Sequence, residues 1–286
     1  MRATTETGAN PAFGIDAFPA VFNSDNSGLA NNIGIFVDQT GHTDSSASGY
    51  DYNGVTIGDS SNVAGYNLFD TLSRGVVTLY GNIRLYNNVF RRTSGDQIAL
   101  NAAVRGYGGP KRSIELGSGY QAATNNRFYN CGAAVLAENW PDLVCRKATI
   151  SVDYPTLTTD VTRMTYGIRN YMSAPNSFFD RQIMEENTIT DCKRGIDLQL
   201  NSASNPDAQA VIENNTITDN NAYLTFDESG YGVNVKDVAT TTARGAFLSV
   251  SNNSIEGFCR GIYLFGTAPY TAQFVSHIDN NTVVMN

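Results

Sequence analysis

The stretch from Ile212 to Phe226, IENNTITDNNAYLTF, has almost the same form as VSNNSIEGFCRGIYLF from Val250 to Phe265. In each, an aliphatic residue and one polar residue precede Asn-Asn, and a second aliphatic residue comes two positions after the second Asn. A pattern that recurs every 20 to 50 residues or so is typical of proteins built from stacked structural repeats. The rest of the chain contains further copies of this one.

The second Asn of the motif aligns these copies along the chain. It is found at Asn67, Asn88, Asn126, Asn187, Asn215, Asn253 and Asn281. Two residues later the side chain is always apolar, at Phe69, Phe90, Phe128, Ile189, Ile217, Ile255 and Val283. Nine and eleven residues later we expect a further inward pair, at Val76 and Thr78, Val135 and Ala137, Ile196 and Leu198, Leu224 and Phe226, and Ile262 and Leu264, with Ile98 and Leu100 one position late in the Asn88 copy.

Alternation of inward and outward residues predicts short β-strands, each too short to be stable alone. Stacking the copies about 4.8 Å apart would place like residues over like and form a continuous core, as in a β-solenoid. Stacked Asn side chains can donate and accept between turns, so they are expected to form a hydrogen-bonded ladder. Gly75, Gly195 and Gly261 occupy one column, where we expect a corner with positive φ.

The pattern NNTI followed by GIxL resembles the right-handed parallel β-helix of the pectin-lyase-like superfamily, which includes phage tailspikes and bacterial surface proteins. The resemblance covers residues 54–286. It implies an all-β solenoid of about seven recognisable turns with three strands each, open at its C-terminal end. Residues 1–53 are then expected to form an N-terminal cap or an irregular first turn. Polysaccharide lyases, glycoside hydrolases and non-catalytic proteins all belong to the superfamily.

The predicted turns differ in length, and the extra residues are expected to follow the GIxL strand each time. Because all such loops would then lie at one corner, they would present a functional surface. Outward residues of that strand include Asp197, Asp227 and Glu138, expected on neighbouring turns at roughly 8 Å. Carboxyl groups at roughly 6.5–9.5 Å suit an inverting glycoside hydrolase, so these three residues are the catalytic candidates, Asp197 first.

Aromatic and polar residues near these carboxylates are the candidates for substrate binding. They are Tyr263, Phe265, Trp140 and Gln199. Sugar binding without chemistry, and an ordinary solvated surface, are the two alternative interpretations of the same residues. The motifs of the two best-known activities in the superfamily, the pectate lyase calcium cluster and the polygalacturonase NTD, DD, GHD and RIK, are missing from the sequence.

Composition and cysteine spacing argue against several other classes of protein. The formal net charge of −8 disfavours nucleic acid as a partner. No apolar run is long enough for a membrane span, and the polar start is unlike a signal peptide. No metal site or cofactor is expected, because the four cysteines lack CxxC spacing. Cys131 and Cys192 are expected on adjacent turns, where a disulfide is possible, and Cys145 in the longest insertion.

Two functions follow from these observations. The first is an extracellular, cell-surface or virion-surface protein that binds polysaccharide and depolymerises it if it is an enzyme, as a hydrolase or a lyase. The alternative is a non-catalytic structural, spike or filament protein that forms homo-oligomers through uncapped coil ends. Replacing Asp197 with Asn would then separate catalysis from folding.

Overall fold

The chain forms a β-solenoid. A computed structural model describes residues 2–4, 21–23, 33–38, 55–58, 66–91, 102–107, 113–117, 125–138, 142–152, 164–171, 181–200, 209–220, 230–237, 247–266 and 275–285. In these ranges all regular structure is β-strand, arranged in three sheets, and every strand pairing is parallel. None of these ranges contains a helix of the length and apolarity needed to cross a membrane. The expected all-β parallel β-helix is confirmed.

The strands of each sheet come from successive turns of the coil. Sheet A contains β1 (Arg2–Thr4), β3 (Ile33–Asp38), β6 (Arg74–Leu79), β9 (Ala102–Tyr107), β12 (Ala133–Glu138), β15 (Met164–Tyr171), β18 (Cys192–Leu200), β21 (Tyr231–Asp237) and β24 (Arg260–Gly266). Sheet B contains β4 (Val55–Ile57), β7 (Ile83–Leu85), β10 (Ser113–Leu116), β13 (Asp142–Arg146), β16 (Arg181–Glu185), β19 (Gln209–Glu213), β22 (Phe247–Ser251) and β25 (Val275–Asp279). Sheet C contains β2 (Val21–Asn23), β5 (Asn67–Asp70), β8 (Asn88–Arg91), β11 (Arg127–Tyr129), β14 (Thr149–Ser151), β17 (Thr188–Thr190), β20 (Thr216–Thr218), β23 (Ser254–Glu256) and β26 (Thr282–Val284).

The core consists of inward columns in which equal side chains lie over one another. Ile189 pairs with Ile217, and Ile217 with Ile255, as predicted. In the earlier turns of sheet C, phenylalanine rings stack face to face, with centroids 4.6 Å apart between Phe69 and Phe90 and 5.0 Å between Phe90 and Phe128. Each such buried side chain contributes about 1.5–3 kcal/mol, so the columns stabilise the coil along its whole length.

The predicted asparagine ladder is present between sheets B and C. Asn215 donates from Nδ2 to Asn253 Oδ1 and to the Met184 carbonyl, at 2.9 Å each. Its own Oδ1 accepts from the backbone N–H and Nδ2 of Asn187, also at 2.9 Å. The residue before the ladder position has a left-handed backbone on most turns, with φ of 58° at Asn214. This explains the Asn pair, since Asn tolerates that conformation better than most residues.

The alignment of the repeats in the sequence missed one complete turn of the coil. The interval from Asn126 to Asn187 contains β13, β14 and β15, and Ala148 occupies the ladder position. Its backbone N–H still donates to Asn187 Oδ1 at 2.9 Å, but the side chain adds no bond. With β2 and β3 also paired into the sheets, sheet C counts nine strands rather than about seven turns. The boundary at residue 53 stays a prediction.

Two predicted inward pairs were assigned to the wrong residues. Strand β21 places Val233 and Val235 next to Ile196 and Leu198, where Leu224 and Phe226 were expected. Strand β9 places Val104 next to Val135, where Ile98 was expected. Residues 98, 100, 224 and 226 lie outside the described ranges. Long connections therefore also join sheet C to sheet A, at 92–101, 153–163 and 221–229, and the prediction that one corner carries them all is wrong.

The glycine column has a different cause from the one expected. Gly75, Gly195 and Gly261 do not have positive φ. A Cβ on Gly195 would lie 2.5 Å from the Gly232 carbonyl oxygen and 2.5 Å from Ile217 Cγ2. Real Cβ atoms do not approach other atoms so closely, so the column is glycine because sheets A and C meet there with no room for a side chain.

The cysteines are free thiols in this fold. Met164 of β15 pairs with Cys192, and its strand separates Cys192 from the turn of Cys131. Two turns correspond to about 9.6 Å, too far for a disulfide, so the expected adjacency of Cys131 and Cys192 is wrong. Cys145 lies in the core rather than in an insertion, and burial raises the pKa of its thiol to about 12. It is therefore protonated and unreactive at neutral pH.

Candidate functional site

The outer face of sheet A carries an unusual set of side chains in its last four turns. The strands β15, β18, β21 and β24 each contribute three outward residues, which align in three columns. We call this set the aromatic–cationic face, and it consists of Tyr166, Arg169, Tyr171, Arg194, Asp197, Gln199, Tyr231, Asn234, Lys236, Arg260, Tyr263 and Phe265. Their positions follow from strand alternation, because the residues between them fill the core.

Asp197 lies at the centre of this face and is almost fully buried, with 8% of its surface exposed. Its Oδ2 is 3.7 Å from Arg169 Nε and 3.4 Å from Arg194 Nη1. Asn234 donates from Nδ2 to the other carboxylate oxygen at 2.6 Å. Both oxygens of the carboxylate are therefore engaged, and its charge is balanced by two guanidinium groups.

Tyr166 holds the same two arginines from the neighbouring column. Its hydroxyl oxygen accepts from Arg169 Nη1 at 2.7 Å and from Arg194 Nη1 at 3.0 Å. Both guanidinium carbons also lie over its ring, at 4.5 Å and 5.3 Å from the centroid. Cation–π contacts of this kind are worth about 0.5–1 kcal/mol at exposed sites, and here they fix the direction of each arginine.

The last two turns contain cations with no carboxylate partner in the described part of the chain. Arg260 donates from Nη1 to the Tyr231 hydroxyl at 2.8 Å, and its guanidinium lies 5.0 Å from the Tyr263 ring centroid. Lys236 Nζ lies 5.5 Å from the ring centroid of Phe265. Among the described residues these positive charges contact aromatic rings and one hydroxyl but no carboxylate, an arrangement that suits an external anion.

Two aromatic rings of the face are open to solvent. Tyr171 is 40% exposed and Phe265 is 41% exposed. The Tyr263 and Phe265 rings are nearly parallel, with 11° between their planes and 6.4 Å between centroids. Single exposed rings also occur elsewhere in the chain, as at Tyr66 and Tyr80, but a contiguous group of aromatic side chains on one sheet is what marks an interaction surface.

Comparison with known proteins identifies the family. The family model described as "Right handed beta helix region" matches residues 113–283. The chain belongs to this family of right-handed β-helix proteins. Neither the curated proteins nor the solved structures gave a match to it. The family defines the architecture, so the properties of this β-helix protein have to be argued from its own residues.

Of the three catalytic candidates of this β-helix protein, Asp197 lies on the outer face as expected, but Glu138 is not on the turn next to it. Glu138 pairs with Tyr171, and Tyr171 with Gln199, so the whole of β15 separates Glu138 from the turn of Asp197. Glu138 instead contacts Arg105 Nη2 at 3.3 Å. Asp227 lies outside the described residues, and Asn234 occupies the position beside Asp197. The expected neighbouring carboxylates are thus not found among the described residues, while the catalytic roles stay predictions.

Three of the four substrate-binding candidates of the β-helix protein lie together on the outer face of sheet A. Tyr263, Phe265 and Gln199 all belong to the aromatic–cationic face, whereas Trp140 lies outside the described residues. Tyr166, Arg169 and Tyr171 were missed, because the turn that contains β15 was not recognised. A usable sign was present in TYGIRNY, whose Gly-Ile matches the Gly-Ile of the neighbouring strands. In the described ranges no group of three metal-ligating residues is close enough to hold an ion.

Proposed function

We propose that this β-helix protein binds polysaccharide along its aromatic–cationic face, on the outside of a cell or a virion. The observation that carries the proposal is the exposure of Tyr171 and Phe265 beside arginine and lysine side chains on one continuous sheet. Sugars have apolar C–H faces and polar edges, so they are suited to surfaces where aromatic rings alternate with hydrogen-bonding groups.

The rigidity of the face supports this proposal. Each arginine is held by at least one tyrosine hydroxyl, and backbone pairing fixes all four strands. A ligand that binds side chains already fixed in position loses less conformational entropy than one that must order a loop. A surface of this kind suits a long, repetitive polymer, because successive turns present comparable contacts at a constant spacing.

The contacts of Asp197 favour binding over bond cleavage at this face. An inverting hydrolase needs one carboxylic acid and one carboxylate on opposite sides of the glycosidic bond. Asp197 is engaged by Arg169, Arg194 and Asn234, and β15 lies between it and Glu138. Depolymerisation is therefore the secondary part of the proposal, and a search for new reducing or unsaturated ends tests it in the same samples.

The proposal is tested with a panel of neutral and acidic polysaccharides, scored by affinity electrophoresis or calorimetry. We expect at least one polymer to bind, and we expect the double substitution Tyr171→Ala with Phe265→Ala to weaken binding tenfold or more, since about 1.4 kcal/mol corresponds to tenfold. Tyr66→Ala is the matched control, because Tyr66 is equally exposed, at 43%, but lies beside sheet C. Equal losses in both variants, or no binding to any polymer, would refute the proposal.

A further inference from the structure

The ligand itself can be specified further from the charges on the face. We infer that the polysaccharide is anionic, that it lies along the coil axis, and that it presents an acidic group to the protein at every second sugar. This inference rests on the proposed function and concerns the class of polymer bound at the same site. It follows from the charge of the face, from the order of residues in one column, and from the partners of two cations.

The charge of the face is opposite to that of the chain. Arg169, Arg194, Lys236 and Arg260 contribute four positive charges against the single carboxylate of Asp197. The whole chain has a formal net charge of −8. A local positive field on an acidic protein attracts anions to that surface while the remaining surface repels them, which directs a polyanion to the face.

One column of the face alternates strictly between tyrosine and arginine. Tyr166 pairs with Arg194, Arg194 with Tyr231, and Tyr231 with Arg260. Because successive turns are about 4.8 Å apart, Arg194 and Arg260 recur at about 9.6 Å, as do the two tyrosines. That spacing is close to the length of a disaccharide in an extended chain. A polymer along the axis would therefore meet one guanidinium for every two sugars.

The partners of the cations indicate which of them bind the acidic groups. Arg194 shares Asp197 with Arg169, whereas Arg260 and Lys236 have no carboxylate partner among the described residues. Among the described residues, Arg260 uses one N–H for the Tyr231 hydroxyl and retains others of its five donors. A guanidinium with available donors binds carboxylate or sulfate through paired hydrogen bonds, so Arg260 is the principal contact, and Arg194, whose charge Asp197 partly balances, is the weaker contact two turns away.

The inference is tested with hyaluronan, in which a carboxylate occurs on every second sugar, and with polygalacturonate, in which it occurs on every sugar. Each is compared with its carboxyl-reduced form at low and at physiological salt. We expect both acidic polymers to bind at least tenfold more tightly than their reduced forms. The variant Arg260→Gln with Lys236→Gln should lose this preference, so that its affinities for the acidic and the reduced polymers become equal.

The control is Arg84→Gln with Lys147→Gln, which removes the same charge away from the face. Arg84 lies on sheet B beside Glu115, and Lys147 pairs with Glu186. This variant should keep the preference for the acidic polymers. Because distant charges act only through the general field, its effect should also disappear at physiological salt.

The outcomes separate the two proposals. Equal affinity for the acidic and reduced forms would overturn the anionic inference and leave polysaccharide binding intact. Binding of polygalacturonate alone would overturn the two-sugar spacing. Tighter binding of single-stranded DNA than of either acidic polymer would show that a nucleic acid is the ligand class and overturn both. Absence of binding to all polymers would refute the proposed function itself.

Discussion

The outer face of sheet A differs between its early turns (β6, β9 and β12) and its late turns (β15, β18, β21 and β24). In the early turns the outward residues are mostly small or aliphatic and buried, with Ala102, Ala133 and Leu136 at most 5% exposed. Even the cation Arg105 is only 6% exposed there. In the late turns the same columns hold tyrosines and arginines that reach solvent.

The inner columns show no such difference. Val104, Val135, Ile168 and Ile196 pair in one register across both regions and are fully buried. The coil is thus one repeating scaffold, because packing requires the same inward residues on every turn. Its outward residues are free to differ, so a binding surface can be confined to a few turns without altering the core.

The largest expected effect is the loss of stability when a ladder asparagine is removed. This loss should be equal in the early and the late turns. Asn88→Ala and Asn215→Ala each remove side-chain bonds to two neighbouring turns and leave buried groups without partners. We expect a loss of about 3 kcal/mol or more in the free energy of unfolding for each. Urea denaturation measures it, with the exposed Thr216→Ala as a control that changes stability by less than about 0.5 kcal/mol. Clearly unequal losses would contradict a uniform scaffold.

The second prediction compares the cost in stability of the same substitution on the early and on the late turns of the outer face of sheet A, at two positions of one column. Leu136 and Tyr263 belong to the same outward column, but Leu136 is 5% exposed while Tyr263 is partly accessible. Leu136→Lys would bury a charge and should lower the free energy of unfolding by about 3 kcal/mol, whereas Tyr263→Lys should lower it by less than about 1 kcal/mol. Thermal unfolding of the two variants measures both changes in the free energy of unfolding. Similar changes would mean that the outer faces of the early and the late turns do not differ in burial.

Two ion pairs provide a third contrast, which depends on pH. Asp142 is 2% exposed and bonded by Arg181 at 2.9 Å and 3.0 Å, and burial raises its pKa while Arg181 opposes that rise. Arg181→Met would raise the pKa further. The folded state would then bind the proton more tightly than the unfolded state, so stability falls as pH rises above about 4. We expect a loss of about 2 kcal/mol at pH 7 and less at pH 4.

The matching variant on the late turns is Arg194→Met. Since Arg169 and Asn234 still engage Asp197 there, its loss in the free energy of unfolding at pH 7 should be smaller than that of Arg181→Met. Denaturant titrations of both variants at pH 4 and pH 7 provide the four values. If Arg181→Met were no more harmful at pH 7 than at pH 4, the buried state of Asp142 would be in doubt.

The smallest expected effect on stability is that of Asp197→Asn. The amide keeps the shape of the carboxylate and its partners are partly exposed, so the free energy of unfolding should fall by less than about 1 kcal/mol. Affinity for acidic polymers should rise a few-fold, because the only carboxylate of the face is removed. Any release of new reducing ends should cease if Asp197 is the acid or base, and an unchanged rate would remove that role.

The sequence predicted the architecture because stacking imposes identical requirements on every turn. The column of Ile189, Ile217 and Ile255 and the ladder from Asn187 to Asn281 were located from spacing alone. The turn at Ala148 was missed, since one methyl group replaced the amide that served as the landmark. Leu224 and Phe226 were assigned to the columns that Val233 and Val235 occupy, because both pairs alternate and only pairing across turns distinguishes them.

The site was harder to predict than the fold. Tyr263, Phe265 and Gln199 were placed correctly on the outer face, because they lie on strands whose register was right. The acidic character expected for that face was wrong, because Glu138 lies two turns from Asp197 and Asn234 takes the position beside Asp197 where Asp227 was expected. Outward residues obey no stacking rule, so their partners depend on the exact order of turns and on which residues form each strand. The missed turn, which contains Arg169, and the wrong strand assignment after Asn215, which left out Lys236, together changed the sign of the charge.

The substitution at Ala148 also has a mechanical consequence. It divides the amide ladder into a segment from Asn67 to Asn126 and another from Asn187 to Asn281. The break falls beside β14, between the last early turn and the first late turn. A coil that has fewer hydrogen bonds between two of its turns is expected to separate between those turns first. We therefore expect tension or partial denaturation to separate the coil at this level and to release the half that carries the aromatic–cationic face as an intact unit.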